Sequence, residues 1–297
     1  LNKHPVRISS LFGDELILGS YLSRLLPLCI ALYYIRKNKS FLEKQFFLIF
    51  LVFTYFTVIL SGERSAFFYI NLSILFILFF VRPNLKSILS AIIICSSLIL
   101  VFYLSILKTE KGNNLFNRYT HSVIASMNLD LIFKKNEILE ADQNTNEERI
   151  YFFTAGHETL YRTAFNMFLD RPVIGHGPKM FRVKCDDPKY AEVVGTSEKG
   201  VSSCMTHPHN FYIQLLAETG LIGFSFLFFL FIYVVFLFMK FFYYDLIKKK
   251  KIYSSYQICI LACLLITVWP IIPNGNFFNN YLMIIYSLPL GFLKKKF

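Results

Sequence analysis

Residues 206–239, THPHNFYIQLLAETGLIGFSFLFFLFIYVVFLFM, decide the fold, because a histidine-bearing polar segment passes there directly into an apolar run. The run at 219–239 carries no charged residue and has about the 20 residues that an α-helix needs to cross a bilayer. Six further apolar runs of about this length lie at 16–35, 45–62, 65–81, 87–107, 252–272 and 277–293. In lipid the backbone must satisfy its own hydrogen bonds, and a helix does so within one segment. We therefore predict an all-α protein, a polytopic transmembrane helix bundle.

The apolar runs divide the chain into three predicted parts. Residues 1–107 contain about four membrane spans, residues 108–208 form one large polar loop domain, and residues 209–297 contain about three spans. We predict that the loop is mainly helical.

Two features of the loop predict its local structure. A helix at 147–169 would form an apolar face from Ile150, Phe153, Leu160, Phe165 and Phe168. Pro172 and the glycines after it predict that this helix ends in a turn. The polar stretch at 182–205 predicts an irregular flap.

The net charge of +12 is not spread evenly along the chain. Basic residues outnumber acidic ones in the connections at 36–44, 82–86 and 240–251 and in the Lys294–Lys296 tail, and the rest of the chain carries equal numbers of both. Such an excess marks the cytoplasmic side of a membrane. The large loop is therefore predicted on the outer side, and the charge requires no nucleic acid partner. Because the first residue then lies outside without a signal peptide, we expect further helices ahead of it.

The start of the 206–239 segment predicts a particular helix geometry. Pro208 suits a first helical turn, with Thr206 as the N-cap. At 100° per residue, His209, Gly220 and Gly223 then share one face. Small residues on that face allow another helix or a lipid chain to approach the backbone. The pattern fits a capped helix with a packing groove and a surface histidine as well as it fits a binding site.

The same residues carry a family resemblance. The spacing of His209-Asn210, nine residues, Gly220, two residues and Gly223, directly after a large loop, resembles the signature of the bacterial O-antigen ligase and O-antigen polymerase family. The resemblance implies a multi-pass glycosyltransferase of the bacterial inner membrane with a periplasmic active site. Its donor would be an undecaprenyl-diphosphate-linked glycan, and its acceptor a hydroxyl of lipid A–core or of another glycan. Membrane lipids would be its other partners.

The implied chemistry assigns roles to charged residues. A leaving diphosphate needs positive charge, and the guanidinium fork of arginine binds phosphate oxygens well. Family members place one arginine at the outer end of a span, which Arg64 matches, and another on a helix before Pro-x-x-Gly-x-Gly, which Arg162 matches. His209 is the predicted general base for the acceptor hydroxyl. Further residues predicted to bind or orient substrates are Arg24, His207, Asn210, Glu218, Gly220 and Gly223.

Metal ions and cofactors are not expected. The outer loop offers only the adjacent Asp186 and Asp187 as paired carboxylates, and these lie in the predicted flap. A lipid diphosphate is already a good leaving group. We therefore predict a metal-independent enzyme without a cofactor.

Arg24 and the cysteines are judged by their place in the chain. Arg24 lies inside the first span, where a charge is costly, so it either faces the bundle interior or extends to the interface. Cys185 and Cys204 lie in the outer loop, an oxidising place in a bacterium, and we predict a disulfide between them. The four cysteines in apolar runs are expected to be small core residues: Cys29, Cys95, Cys259 and Cys263.

Several alternatives stay open. Ligase, polymerase and protein O-glycosyltransferase share one donor chemistry and differ only in the acceptor. A polysaccharide or lipid transporter would explain the spans, but it should place its charged groups near the bilayer midplane, which only Arg24 and Glu218 approach. A catalytically inactive binding subunit is the third class.

Overall fold

The computed structural model describes residues 10–13, 17–106, 155–192 and 204–293. After a 3₁₀ turn at Ser10–Phe12, the helices in chain order are α1 (Leu18–Ile35), α2 (Phe41–Leu60), α3 (Arg64–Val81), α4 (Leu85–Ile106), α5 (Ala155–Asp170), α6 (Phe181–Lys184), α7 (Phe211–Phe242), α8 (Ser255–Thr267) and α9 (Asn280–Leu293). A π-helical turn at Tyr243–Ile247 extends α7. This part of the chain contains helices and no strands, which confirms the all-α prediction.

Each predicted membrane span corresponds to a helix. Within the described residues, four segments are long and apolar enough to cross a membrane: Leu18–Ile35, Phe41–Leu60, Arg64–Val81 and Phe211–Ile247. The other three spans contain shorter apolar helices, at Ile88–Val101, Ser255–Thr267 and Asn280–Leu293. Many of the exposed side chains on α2, α4 and α7 are Phe, Leu and Ile, which is the composition expected of a lipid-facing surface.

The chain forms two compact units. Unit one contains α1–α4, Phe231–Trp269 and the part of α9 from Ile284 onward. Unit two contains α5, α6, the part of α7 up to Leu230, and Pro270–Met283. Each unit has its own buried side chains and is described by itself.

Unit one is built around α1 and α8. Helix α1 packs against α2, α3 and α8, and α3 also packs against α8. Every residue of Ile258–Thr267 is buried. Aromatic rings join α3 to the second part of α7, with centroid distances of 4.8 Å between Phe76 and Phe238 and 4.7 Å between Phe80 and Phe241. The core of this unit is therefore apolar and rich in aromatic contacts.

Local sequence sets where two of these helices begin. Ser40 precedes α2 and Ser254 precedes α8, and each side chain accepts a hydrogen bond from the backbone N–H three residues later. The side chains of Glu43 and Gln257 in turn accept a hydrogen bond from the backbone N–H of the capping serine. These reciprocal bonds form capping boxes, which satisfy N–H groups that lack a partner within the helix.

The first turn of α1 is bound by Glu63, in the turn before α3. The buried carboxylate accepts hydrogen bonds from the backbone N–H of Gly19 at 2.6 Å and of Ser20 at 3.1 Å. An anion at this position complements the positive end of the helix dipole. Gly19 allows the approach, because a Cβ there would overlap the side chain of Ser61.

Arg24 faces the interior of unit one, so of the two predicted positions the buried one is observed. Its side chain is 1% exposed, and its guanidinium lies 4.6 Å from the ring centroid of Tyr69 and 5.2 Å from that of Tyr286. Nη1 donates to the carbonyl of Ser20 at 3.2 Å. Nε and Nη2 have no hydrogen-bond partner among the residues that the structure describes.

Unit two has its own core around α5. Seven buried residues form it: Leu160, Ala164, Met167, Phe181, Cys185, Tyr190 and Ala217. The predicted apolar face of α5 is therefore wrong in part, because Phe165 is 48% exposed and Phe168 is half-buried. The buried face follows the i, i+4, i+7 spacing of Leu160, Ala164 and Met167 instead. The predicted positions 150 and 153 lie outside the described residues.

The segment after α5 is more ordered than the predicted flap. Phe181 starts the one-turn helix α6, and Cys185 and Tyr190 are buried in the core of unit two. Cys185 is bonded to Cys204, with 4.8 Å between their Cα atoms, which confirms the predicted disulfide. The flap prediction is thus wrong for residues 182–192, because this stretch supplies the buried Tyr190 and the bonded Cys185 to the core. Residues 193–203 lie outside the described part.

Candidate active site

The first helical turn of α7 is capped by Asn210. Its Oδ1 accepts hydrogen bonds from the backbone N–H of Tyr212 at 2.9 Å and of Ile213 at 3.3 Å. The predicted N-cap at Thr206, with Pro208 in the first turn, is wrong, since the helix begins only at Phe211. Asparagine is among the strongest N-cap residues, so the later cap decides the boundary.

His209 has a left-handed backbone conformation, with φ of 57°. This region is uncommon for residues other than glycine, and a structure must stabilise it. The carbonyl of His209 accepts a hydrogen bond from the N–H of Asn274 at 2.8 Å. The side chain of Asn274 accepts from the N–H of Phe211 at 2.9 Å, and Asn210 donates to the carbonyl of Pro270 at 2.8 Å. The turn between α8 and α9 thus holds the histidine on both sides.

Three imidazole rings meet at this point. The ring centroid of His209 lies 4.3 Å from that of His207 and 5.6 Å from that of His157, which belongs to α5. Burial lowers the pKa of His207 to about 3, and the neighbouring His209 shifts it in the same direction. His207 is therefore neutral at physiological pH, and an uncharged imidazole ring lies beside His209.

Helix α7 breaks at Gly220, whose φ of 61° and ψ of −163° are not helical. Two backbone hydrogen bonds that a regular helix would form across the break are replaced by four bonds to the turn after α5. These are His176 N to Ala217 O (3.1 Å), Gly177 N to Glu218 O (2.8 Å), Leu221 N to Pro172 O (2.8 Å) and Ile222 N to Val173 O (3.3 Å). The turn substitutes for the missing helical turn, so all four backbone groups stay satisfied.

The break overturns the predicted glycine face. With α7 interrupted and His209 outside it, His209, Gly220 and Gly223 do not share one stripe of a continuous helix. Gly220 instead allows two backbones to touch, since a Cβ there would overlap the carbonyl of Val173. On the other side, a Cβ on Gly175 would overlap the backbone of Glu218. The Pro-x-x-Gly-x-Gly turn and Gly220 are therefore two halves of one contact.

Beneath this contact lies a buried polar network. The carboxylate of Glu218 is fully buried and accepts hydrogen bonds from the N–H of Phe181 at 2.9 Å and from Nε2 of Gln214 at 3.0 Å. Gln214 also donates to Oδ1 of Asn276 at 2.8 Å and accepts from the N–H of Phe277 at 2.9 Å. The network joins α6, α7 and the 273–280 turn. It therefore holds together the segments that surround His209.

The predicted arginines occupy different surroundings. Arg162 is 46% exposed on α5, and its Nε and Nη2 donate to Oε1 of Glu158 at 3.0 and 2.6 Å. It belongs to unit two with His209, whereas Arg64, the first residue of α3, and Arg24 belong to unit one. The predicted catalytic roles of the two arginines remain predictions.

His176 is held as a structural residue. Its Nε2 donates to the carbonyl of Met167 at 2.9 Å, and its Nδ1 lies 3.1 Å from Nζ of Lys184. Burial lowers the pKa of this buried imidazole, and the nearby Lys184 acts in the same direction. A neutral ring therefore suits both contacts.

An apolar groove of about 340 Å³ lies beside the break in unit two. The groove is lined by Leu215, Thr219, Gly223, Phe226, Leu227, Leu230, Phe277 and Phe278. Gly223 thus has the predicted position on a groove wall, and Gly220 does not. The side chain of Thr219 already fills the space beside Gly223.

Two groups near His209 are not predicted from the sequence. His157 lies on α5, more than fifty positions ahead of His209 in the chain, and only the packing of that helix brings the rings together. Gln214 is a polar residue inside an apolar segment, which could have marked it as a bonded buried group. Among the described residues, no group of three or more His, Cys, Asp or Glu could hold a metal ion.

Comparison with known proteins identifies the family. The model of the O-antigen ligase family matches residues 47–229, which is more than half of the chain. No curated protein and no solved structure matches. The match includes α5, the Pro172–Gly177 turn, the three contacting histidines and the break in α7. The chain is a multi-pass membrane protein of the glycan-transferring ligase and polymerase kind, and it belongs to the O-antigen ligase family.

Proposed function

We propose that the protein transfers a glycan from an undecaprenyl-diphosphate donor to a hydroxyl acceptor at the periplasmic face of the bacterial inner membrane, as an O-antigen ligase does. The observation that carries the proposal is His209. Its backbone is held in an uncommon conformation, and its ring contacts two other imidazoles. A strained residue that its surroundings over-determine is typical of a functional site.

The proposed reaction forms one bond and breaks one. The acceptor oxygen attacks the anomeric carbon of the donor sugar while the bond from that carbon to the diphosphate oxygen breaks. His209, as a neutral imidazole, takes the proton of the acceptor hydroxyl, and the electron pair of the broken bond leaves on the diphosphate. The low pKa of His207 keeps that neighbour from competing as a base.

The leaving diphosphate needs fixed positive charge, because its negative charge grows as the bond breaks. Arg64 and Arg162 are the proposed donors of that charge, and Arg24 is proposed to bind donor from within unit one. The apolar groove at Gly223 suits a polyprenyl chain by its lining. No step of this mechanism requires a metal or a cofactor.

The test is transfer activity of His209→Asn in the full-length protein, expressed in a strain without its own copy. Asparagine tolerates the left-handed conformation, so the change removes the imidazole and keeps the backbone. We expect surface glycan display to fall by about 10²- to 10⁴-fold at normal protein level. Full display at the same membrane level, measured by immunoblot, would show that His209 is no catalytic group.

Polymerase and protein O-glycosyltransferase activities use the same donor, and the acceptor separates them. Glycan attached to lipid A–core indicates a ligase, longer free glycan chains indicate a polymerase, and glycosylated protein indicates the third activity. The family match covers the ligase and polymerase readings alike.

A further inference from the structure

The one-turn helix α6 presents an arginine close to the histidines. Phe181, its first residue, is fully buried in the core of unit two, and its N–H is bound to the carboxylate of Glu218 at 2.9 Å. Arg182 follows directly, and its side chain is exposed. The backbone that carries Arg182 is therefore fixed by an anchor on α7 while the guanidinium remains accessible.

A covalent bond holds the same helix from its other end. Cys185 follows α6 and is bonded to Cys204, which stands three residues ahead of His207. With 4.8 Å between the two Cα atoms, α6 cannot separate from the segment that leads to His209. Consistent with this position, the positive charge of Arg182 contributes to the low pKa of His207.

Arg182 and Arg162 differ in their hydrogen bonds and ion pairs. Arg162 donates two hydrogen bonds to Glu158. Within the described residues, Arg182 forms no ion pair and its guanidinium no hydrogen bond. Its five N–H donors are thus available to an anion, and a guanidinium can bind a phosphate through two parallel bonds.

We propose that Arg182 binds the diphosphate of the donor beside His209, as a substrate-binding residue positioned by the Phe181–Glu218 bond and the Cys185–Cys204 disulfide. The proposal rests on the proposed function for the identity of its ligand. The shared chemistry is a phosphate anion. It has two sources, the donor diphosphate and the headgroups of anionic membrane lipids.

The first test measures binding of inorganic pyrophosphate to the full-length protein in nanodiscs of neutral phosphatidylcholine, by titration calorimetry at low salt. Arg182→Ala is expected to raise the dissociation constant by about ten- to a hundredfold, the usual effect of losing a charge-assisted contact. Arg182→Lys should lose less, because it keeps the charge without the fork. Arg171→Ala is the matched control, because Arg171 is an exposed arginine whose charge lowers the pKa of His176 instead of that of His207. This variant should bind pyrophosphate as the unaltered protein does.

Four results would overturn the proposal. They are no measurable pyrophosphate binding by the unaltered protein, equal binding by Arg182→Ala, an equal loss in Arg171→Ala, and an effect of Arg182→Ala that is seen only when phosphatidylglycerol is added to the nanodiscs. The last result would assign Arg182 to lipid headgroups.

The second test separates this proposal from the proposed function. In a transfer assay, Arg182→Ala should raise KM for the donor more than it lowers kcat, and Arg182→Lys should recover part of the loss. If the unaltered protein transfers no glycan, the proposed function fails, and the pyrophosphate titration still decides whether Arg182 binds a diphosphate. An unchanged KM together with a lower kcat would contradict the binding role.

Discussion

Two of the charged side chains that this protein buries at membrane helices, Glu218 in unit two and Arg24 in unit one, differ in how completely they are hydrogen-bonded. Glu218 in unit two is fully buried, and its carboxylate accepts from a backbone N–H and a side-chain amide. Arg24 in unit one is 1% exposed, yet two of its nitrogens lack a hydrogen-bond partner among the described residues. Two tyrosine rings accompany its charge instead.

The difference separates a structural charge from one with unused binding capacity. A buried polar group that is fully hydrogen-bonded specifies how segments fit together. A buried cation with unused donors is costly in a membrane protein, and such residues are commonly functional. Glu218 should therefore matter most for stability, and Arg24 most for activity.

The largest loss of stability is expected from Glu218→Ala. The change leaves the N–H of Phe181 and one N–H of the Gln214 amide without an acceptor, at about 1–3 kcal/mol for each unsatisfied group. The apparent Tm of the detergent-solubilised protein, followed by size-exclusion chromatography after heating, should fall clearly. Asp186→Ala removes an exposed carboxylate from the same unit and should change the Tm little. An unchanged Tm in Glu218→Ala would refute the structural role.

Gly175→Ala should have the next largest effect. Its φ of 65° is strained for a side-chain-bearing residue, and the new Cβ would overlap the backbone of Glu218. We expect a loss of about 1–3 kcal/mol in the free energy of unfolding, seen as a lower apparent Tm in the same thermal assay. Gly291→Ala is the control, because nothing lies within 4 Å of the added atom. Equal Tm values for both variants would contradict the close contact at the break in α7.

A smaller effect is expected from acid. The pKa values of His176 and His207 are lower in the folded protein than the ordinary value of about 6.5, so the unfolded chain binds protons first as pH falls. Their contribution to stability is complete above about pH 7 and declines as pH drops below about 6.5. Asp170, whose pKa is lowered by hydrogen bonds from Lys189 and Tyr190, loses its contribution only below about pH 4.

The measurement for this prediction is the Tm at pH 7.5 and at pH 5. The value at pH 5 should be lower, and His207→Gln should reduce the difference between the two. A higher Tm at pH 5 would contradict the direction of both histidine shifts.

The smallest effect on stability is expected from Arg24→Leu. An apolar residue there removes an incompletely bonded charge from the core, and such replacements are often neutral or stabilising. Transfer activity should nevertheless fall, while Arg24→Lys keeps part of it. If Arg24→Leu prevents folding, Arg24 is a structural residue like Glu218, and the distinction between the two buried charges fails.

How far sequence reasoning reached can be seen in particular residues. The apolar runs predicted the membrane helices, and the location of Cys185 and Cys204 predicted their bond. The sequence predicts the helix cap at Thr206 because Pro208 suits a first turn, whereas Asn210 and its partner Asn274 begin the helix later. The spacing predicts Gly220 as a small residue within a helix face. Its real role depends on a turn more than forty residues earlier in the chain.

The sequence by itself determined the membrane helices, the motif residues and the disulfide, because these follow from local composition, spacing and compartment. Only the tertiary structure decided that the turn at 172–177 fills the break in α7, that His157 meets His209, and that Glu218 anchors α6 beside the histidines. Each of these contacts joins segments far apart in the chain. Their hydrogen bonds form only where packing aligns the backbones to within a few tenths of an ångström, and no local pattern encodes that alignment.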